Sequence, residues 1–263
     1  MRPSSPLHHC QPGAASVPLD ALLRAAALAH PALTGEIGVD NTGLICAKAD
    51  NQEVLTQLHN YWRNACPEAG APYWAVRSWT MLVWQPTFIA VAAVHIVGAA
   101  APLSELGQKY AQGVVAGFRT PPVALPTTAI ERLIEFSGAE LAQVCEGFLE
   151  QLNRIAKVKP LIAKRLVADS LLSALSRLSL LNAPPDNDEI QHWAQAWLKA
   201  MDLVGYSSLT PIPLHNGRLQ LTLDRKACCL HYLRQDGELC ASCPKQKPEV
   251  RVQRLTEEWN AYA

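Results

Sequence analysis

The sequence predicts a mostly helical α+β fold. It has a helical body with a small antiparallel sheet and a C-terminal β-hairpin leading into a four-cysteine segment. Long stretches repeat apolar residues at helical spacing, two short β-like runs flank a Pro-Pro pair near the middle, and the apolar period becomes alternating after residue 205. We divide the chain into a disordered lead-in (1–18), a helical body (19–205) and a C-terminal unit (206–263).

The composition limits the class of protein. The chain has 263 residues, of which 49% are hydrophobic, enough for a sizeable core. Lys plus Arg and Asp plus Glu are both 23, and this zero net charge argues against a nucleic-acid binder. The stretch Met1 to Pro18 is rich in Pro, Ser and Gly and lacks the apolar centre of a signal peptide. We therefore expect a cytoplasmic protein with reduced thiols, and at most peripheral contact with the inner membrane.

The helical body is predicted from apolar spacing and end signals. Pro31 ends the first helix, and Asp50 with Glu53 fits a capping box for the second. The two β-like runs are Gly113 to Phe118 and Val123 to Leu125. Helical spacing predicts helices at 19–29, after Asp50, from Ala139 to Ile155, from Pro160, and after a cap at Asp186 or Asn187.

An apolar stretch from Tyr73 to Ala101 is long enough to span a membrane. Pro86 interrupts it, polar residues lie inside it, and Ala and Gly dilute it. We therefore interpret it as a pair of buried helices that meet near Pro86. His95 is expected to be a core histidine. The stretch is rich in tryptophan, which fits either core packing or an aromatic wall for a ligand.

The C-terminal unit begins with a predicted hairpin. Leu209 to Leu214 and Arg218 to Leu223 flank Asn216-Gly217, which is a strong turn signal. In the second strand, leucines alternate with polar residues, so we expect one buried face and one exposed face. This strand delivers the chain to the cysteines, and Asp236-Gly237 offers a turn that folds the later cysteines back onto the earlier ones.

Four cysteines form the pattern C-C-x10-C-x2-C: Cys228, Cys229, Cys240 and Cys243. Four thiolates this close together favour a metal centre. Two disulfides are less favoured because the chain shows no secretory context. A zinc site with four cysteines is the main rival, although adjacent cysteines reach one small ion poorly. The other cysteines, at positions 10, 46, 66 and 145, are scattered and are interpreted as ordinary thiols.

This pattern, with Arg225 and Lys226 just before it, resembles the FhuF-type siderophore-iron reductases. The resemblance is firm from Leu214 to Pro244 and looser over the helical body. It implies a [2Fe-2S] cluster held by the four cysteines. It also implies a one-electron reductase of iron in a ferric siderophore, which releases Fe(II) and depends on an external donor such as a ferredoxin or a flavin-dependent reductase.

The substrate pocket is harder to predict. Trp79 lies just ahead of Pro86, where the family also tends to place a tryptophan, and we predict that it lines the pocket with Arg225 and Lys226 at the rim. The alternative is that Trp79 is a core residue. The chain has no P-loop and no G-x-G-x-x-G pattern. Two other functions remain open: an iron–sulfur electron-transfer or sensor protein without a siderophore site, and a zinc-stabilised interaction module.

Overall fold

A computed structural model describes residues 16–262 and is mostly helical within that range. Of the predicted lead-in, residues 1–15 lie outside the described part, and Ser16–Val17 form a short strand, β1. The α-helices of the described residues are α1 (Leu19–Ala29), α2 (Gln52–Ala65), α3 (Gly70–Ala92), α4 (Ile130–Asn153), α5 (Pro160–Ser176), α6 (Asn187–Ala200) and α7 (Pro248–Asn260). The α+β class predicted from the sequence is confirmed.

The strands of residues 16–262 form three small sheets. After β1, the strands are β2 (Gly35–Ile37), β3 (Ile45–Cys46), β4 (Gly107–Ala111), β5 (Val114–Thr120), β6 (Leu125–Pro126), β7 (Ser208–Pro213) and β8 (Leu219–Asp224). The central sheet has the order β2-β5-β4-β3, with antiparallel pairs except for the parallel pair β2 and β5. The sequence did not predict this parallel pair. Strand β1 pairs with β6, and β7 pairs with β8 as a hairpin.

Helix α3 is continuous, so the predicted break near Pro86 is wrong. Proline has no N–H to donate to the carbonyl four residues earlier, which normally weakens a helix. Here the side-chain amide of Gln108, from β4, donates to the Leu82 carbonyl at 3.0 Å and replaces the missing bond. Gln85 donates to the same Gln108 side chain at 3.1 Å. The helix therefore passes through the proline because a neighbouring strand supplies the donor.

Helix α3 is also the centre of the packing. The span Pro67–Val97 is long and apolar enough to cross a membrane, but 67% of its most hydrophobic window is buried inside the protein. Helices α1, α2, α4 and α5 all contact it. A helix that is apolar on every side is expected when protein surrounds it, so this span is the core helix of the body.

The hairpin β7–β8 lies against α5 and carries the chain to the cysteines. The predicted alternation in β8 is wrong: Leu219 is 57% exposed, whereas Gln220 and Thr222 are buried. Gln220 is buried because its side chain accepts a hydrogen bond from Ser179 and donates to the Ser176 carbonyl, at the end of α5. Gln220 therefore faces hydrogen-bond partners inside the protein and not water, and these bonds attach β8 to the end of α5.

Candidate metal centre

The four cysteines of the motif converge just after β8. The sulfur atoms of Cys228 and Cys243 are 3.7 Å apart. The Cys229 thiol lies within hydrogen-bonding reach of both Cys228 and Cys240. Cys243 is buried, and the other three are half-buried. Cysteines eleven and fifteen positions apart in sequence are therefore brought into one cluster of sulfur atoms, which we call the sulfur row.

Three local features of the backbone bend the chain around the sulfur row. Leu230, directly after the cysteine pair, has a φ of 63°, a left-handed conformation that is uncommon for leucine. Its N–H donates to the Cys228 sulfur at 3.4 Å. A 3₁₀ turn follows at His231–Leu233. Gly237 then lies so close to the His231 carbonyl that a Cβ atom would overlap it, so only glycine fits at this return of the chain.

The pKa values of the neighbouring thiols are shifted in opposite directions. Hydrogen bonds from Cys228 and Cys240 hold the pKa of Cys229 far below the usual value, and the backbone N–H of His231 and the charge of Arg225 add to this. The same hydrogen bonds, with burial, raise the pKa of Cys228 and of Cys240. The two neighbouring thiols thus favour the thiolate form of Cys229. Thiolates are the form in which cysteine binds metals.

The four sulfurs lie in a continuous line of neighbours. Cys243 lies beside Cys228, Cys228 beside Cys229, and Cys229 beside Cys240. Four thiolates gathered in this way can hold a two-iron cluster, in which each iron takes two protein sulfurs. The same four donors are also those of a tetrahedral zinc site.

The scattered cysteines lie elsewhere. Cys46, Cys66 and Cys145 are free and buried, and Cys10 is outside the described residues. Burial raises the pKa of Cys145 to about 12, so it stays a neutral thiol. Cys66 and Cys145 pack in the core as small apolar side chains, and the Cys46 thiol donates to the Leu44 carbonyl.

A buried ion pair connects the sulfur row to the helical body. Arg225 donates from Nε to the Asp169 carboxylate at 2.8 Å, and from Nη1 to the Cys240 sulfur at 3.5 Å. The other carboxylate oxygen of Asp169 accepts a hydrogen bond from Ser207 at 2.7 Å. Burial alone would lower the pKa of Arg225, but Asp169 and the thiolates raise it above its ordinary value. Burial raises the pKa of Asp169 above its ordinary value, although the charge of Arg225 and the hydrogen bonds from Ser207 and Arg225 each lower it.

A second arginine approaches from α3. Arg77 is half-buried, and its guanidinium lies 4.8 Å from the centre of the Trp62 ring. Its buried Nε has no hydrogen-bond partner among residues 16–262. Desolvation lowers its pKa, and the nearby Tyr73 and Cys229 work against this. Unlike Arg225, it forms no ion pair with an acidic side chain of the described chain. Arg77 therefore places a positive charge near Cys229 that no carboxylate neutralises.

A cavity of about 840 Å³ opens beside the cysteines, and Cys228 is part of its wall. This volume is within the range of small-molecule sites. Its apolar lining includes Trp74, Val76 and Ile162, and its polar lining includes Lys226. We call it the Cys228 cavity.

The structure separates the residues that the sequence grouped as a pocket. Lys226 lines the Cys228 cavity, but Arg225 is turned inward to Asp169. Trp79 is only 1% exposed and donates its indole N–H to the Ala163 carbonyl at 3.2 Å, in the core between α3 and α5. Trp74, one and a half turns earlier in α3, lines the cavity instead.

Sequence reasoning did not find Asp169 or Arg77. Asp169 is the lone acidic residue in the apolar helix α5, and a charge inside such a run is a signal that a partner is needed. Arg77 is the last charge before the long uncharged stretch that ends at Glu105. Both residues could be recognised as unusual from the sequence, but the sequence did not show which residue each of them contacts.

Residues 225–245 match the family model described as the FhuF 2Fe-2S C-terminal domain. No solved structure matches the chain. The match includes the four motif cysteines and the two basic residues before them, and it supports a [2Fe-2S] cluster as the cofactor. The donor set fits that cofactor because the segment offers four free thiols that lie next to one another. In its C-terminal segment, the chain is therefore similar to the FhuF family, as the cysteine spacing predicted.

Proposed function

We propose that the protein is a cytoplasmic ferric-siderophore reductase that passes one electron to Fe(III) in a siderophore complex and releases Fe(II). The observation that carries the proposal is the Cys228 cavity, which places a ligand-sized space directly against a motif cysteine. Electron transfer weakens steeply with distance, so a chelate must lie next to the cysteines for reduction to be useful.

Cys228, Cys229, Cys240 and Cys243 would hold the [2Fe-2S] cluster, which supplies a store for a single electron. Arg77 brings a positive charge towards Cys229 that no carboxylate of the described residues neutralises, and Arg225, although paired with Asp169, donates a hydrogen bond to the Cys240 sulfur; both contacts favour the state with the added electron. The electron comes from an external donor, such as a ferredoxin or a flavin-dependent reductase.

The substrate chemistry needs little else from the protein. Siderophores bind Fe(III) through hard oxygen donors, and they hold the softer Fe(II) far more weakly. One electron therefore turns a tight complex into a labile one, without an acid, base or nucleophile. The apolar and aromatic wall of the cavity suits the organic part of a chelate.

Anaerobic purification and a single mixing experiment test the proposal. We expect a brown protein with equal iron and sulfide and no zinc. After reduction with dithionite and removal of the excess, mixing with a ferric chelate should restore the oxidised visible spectrum. A ferrous-specific dye should trap Fe(II) in equal amount.

Two results would contradict the proposal. A colourless protein that contains zinc would favour the interaction module. An iron–sulfur protein that no ferric chelate reoxidises faster than the chelate-free buffer would favour an electron-transfer or sensor role.

A further inference from the structure

The charged side chains that line the Cys228 cavity are all positive. Among residues 16–262, seventeen line it, and none of these seventeen is acidic. Its cations come from three separate parts of the chain: Arg63 from α2, Lys157 and Lys159 from the α4–α5 loop, and Lys226 from the cysteine segment. A wall assembled from three segments with one sign of charge raises the local concentration of ligands of the opposite sign.

These cations are available to a ligand. Each of the four is exposed. None of them forms an ion pair with an acidic side chain in the described part of the chain, whereas Lys164 and Arg154 close by are paired with Asp202 and Glu150. Lys226 donates to the Gly205 carbonyl at 2.8 Å, which orients it without neutralising it.

We propose that the Cys228 cavity selects net-anionic ferric chelates of the carboxylate class over neutral ones. This inference rests on the proposed function. Such a chelate must approach four cysteine sulfurs that become thiolates when they bind metal, and the cations offset the repulsion that its negative charge would meet there. A neutral chelate gains nothing from the same cations.

The exposed guanidinium of Arg63 favours carboxylates within the anionic class. Its planar donors match a carboxylate with two parallel hydrogen bonds. Catecholates are also anionic, but three dianionic catecholates stabilise Fe(III) so strongly that one electron from an iron–sulfur protein reduces it poorly. Hydroxycarboxylate and mixed hydroxamate–carboxylate chelates combine negative charge with iron that is easier to reduce.

Gallium complexes test selection without any electron transfer, because Ga(III) resembles Fe(III) in size and charge but is not reduced. The cluster-loaded protein would be titrated by calorimetry with two probes. One is the anionic Ga(III) complex of a citrate-centred dihydroxamate, and the other is the neutral Ga(III) complex of a cyclic trihydroxamate. We expect the anionic probe to bind at least tenfold more tightly at low salt and to lose most of this advantage at high salt.

Charge variants locate the effect. Arg63→Gln, Lys157→Gln and Lys159→Gln should each weaken the anionic probe about threefold, and together roughly thirtyfold, with little change for the neutral probe. Lys199→Gln removes an equally exposed cation from α6, outside the cavity lining, and should change neither probe.

The inference is overturned if the neutral probe binds as tightly as the anionic one, if neither probe binds, or if the three cavity variants behave like Lys199→Gln. The proposed function fails separately, when ferric forms of both chelates leave the reduced protein unoxidised. Because gallium binding does not depend on reduction, the two failures are distinguishable.

Discussion

Changing Asp169 to Asn removes one negative charge from the buried contact that anchors the cysteine segment to α5. The shape of the side chain is kept, and its remaining oxygen can accept one of the hydrogen bonds that Ser207 and Arg225 now donate. Arg225 would then remain as a charged group with no carboxylate beside it. The structure predicts a loss of stability and an altered electrostatic environment at Cys240.

The size of the loss follows from burial. The side chains of Arg225 and Asp169 are 11% and 6% exposed, so water screens neither charge well. Removing one partner of a buried ion pair costs about 3–5 kcal/mol. Because Asn keeps one acceptor, we expect the lower end, about 3 kcal/mol. For a chain of this size that corresponds to a fall in melting temperature of roughly 6–12 °C.

Thermal unfolding followed by circular dichroism under anaerobic conditions measures this loss. Glu150→Gln is the matched control, because it breaks the Arg154–Glu150 pair, whose side chains are 58% and 75% exposed. The control should change stability by less than about 0.5 kcal/mol. In the metal-loaded protein, the reduction potential of Asp169→Asn should rise because the positive charge of Arg225 is no longer neutralised.

A double variant separates a buried charge from a general packing defect. Asp169→Leu with Arg225→Met removes both charges, so it should be more stable than Asp169→Leu alone. The reasoning is refuted if Asp169→Asn melts together with Glu150→Gln, or if the double variant is less stable than Asp169→Leu.

Three further outcomes are expected. Ser at any of the four motif cysteines should abolish or strongly change the visible absorption of the iron-loaded protein, while Ser at Cys145 should leave it intact; the opposite pattern would remove the ligand assignment. Burial lowers the pKa of His95 to about 3, so the folded protein keeps this histidine neutral at pH values where the unfolded chain protonates it, and the free energy of unfolding should fall by up to about 2 kcal/mol between pH 7.5 and 5. Urea unfolding of His95→Gln should show a weaker dependence of this free energy on pH, and an unchanged dependence would contradict a neutral His95 in the folded protein. Trp79→Ala should cost about 3–5 kcal/mol of stability, with a loss below 1 kcal/mol arguing against a core position.

Local signals in the sequence predicted part of the fold well. Helix α1 was predicted with the observed bounds, and Asp186 forms the capping box of α6 with Glu189. These features depend on neighbouring residues only. The capping box predicted at Asp50 is wrong, because the N-cap is Asn51 and its side chain is used by the backbone of Cys46 in β3. A tertiary contact thus overrode a local pattern.

The candidate site shows the same difference between features set by neighbouring residues and features set by tertiary contacts. The spacing of the cysteines predicted the centre because a metal motif is encoded within a few residues of sequence. Its surroundings were not predictable in this way: Asp169 meets Arg225 across 56 positions, and Gln108 supports the helix at Pro86 from another element. Such partners are chosen by packing, and a single sequence records only that an unusual residue is present.

The cysteine segment is short, but its support is spread over the chain. Asp169 from α5 holds Arg225, and Glu68, ahead of α3, accepts a hydrogen bond from the Gln235 backbone at 2.9 Å. A recombination event that moved residues 206–262 into another protein would carry every motif cysteine and neither of these carboxylates. The cysteine pattern could therefore be transferred without the charged residues that surround it here. The electrostatic environment of the cluster would be inherited only together with the helical body, and a host protein that acquired the cysteines alone would have to evolve its own counter-charges.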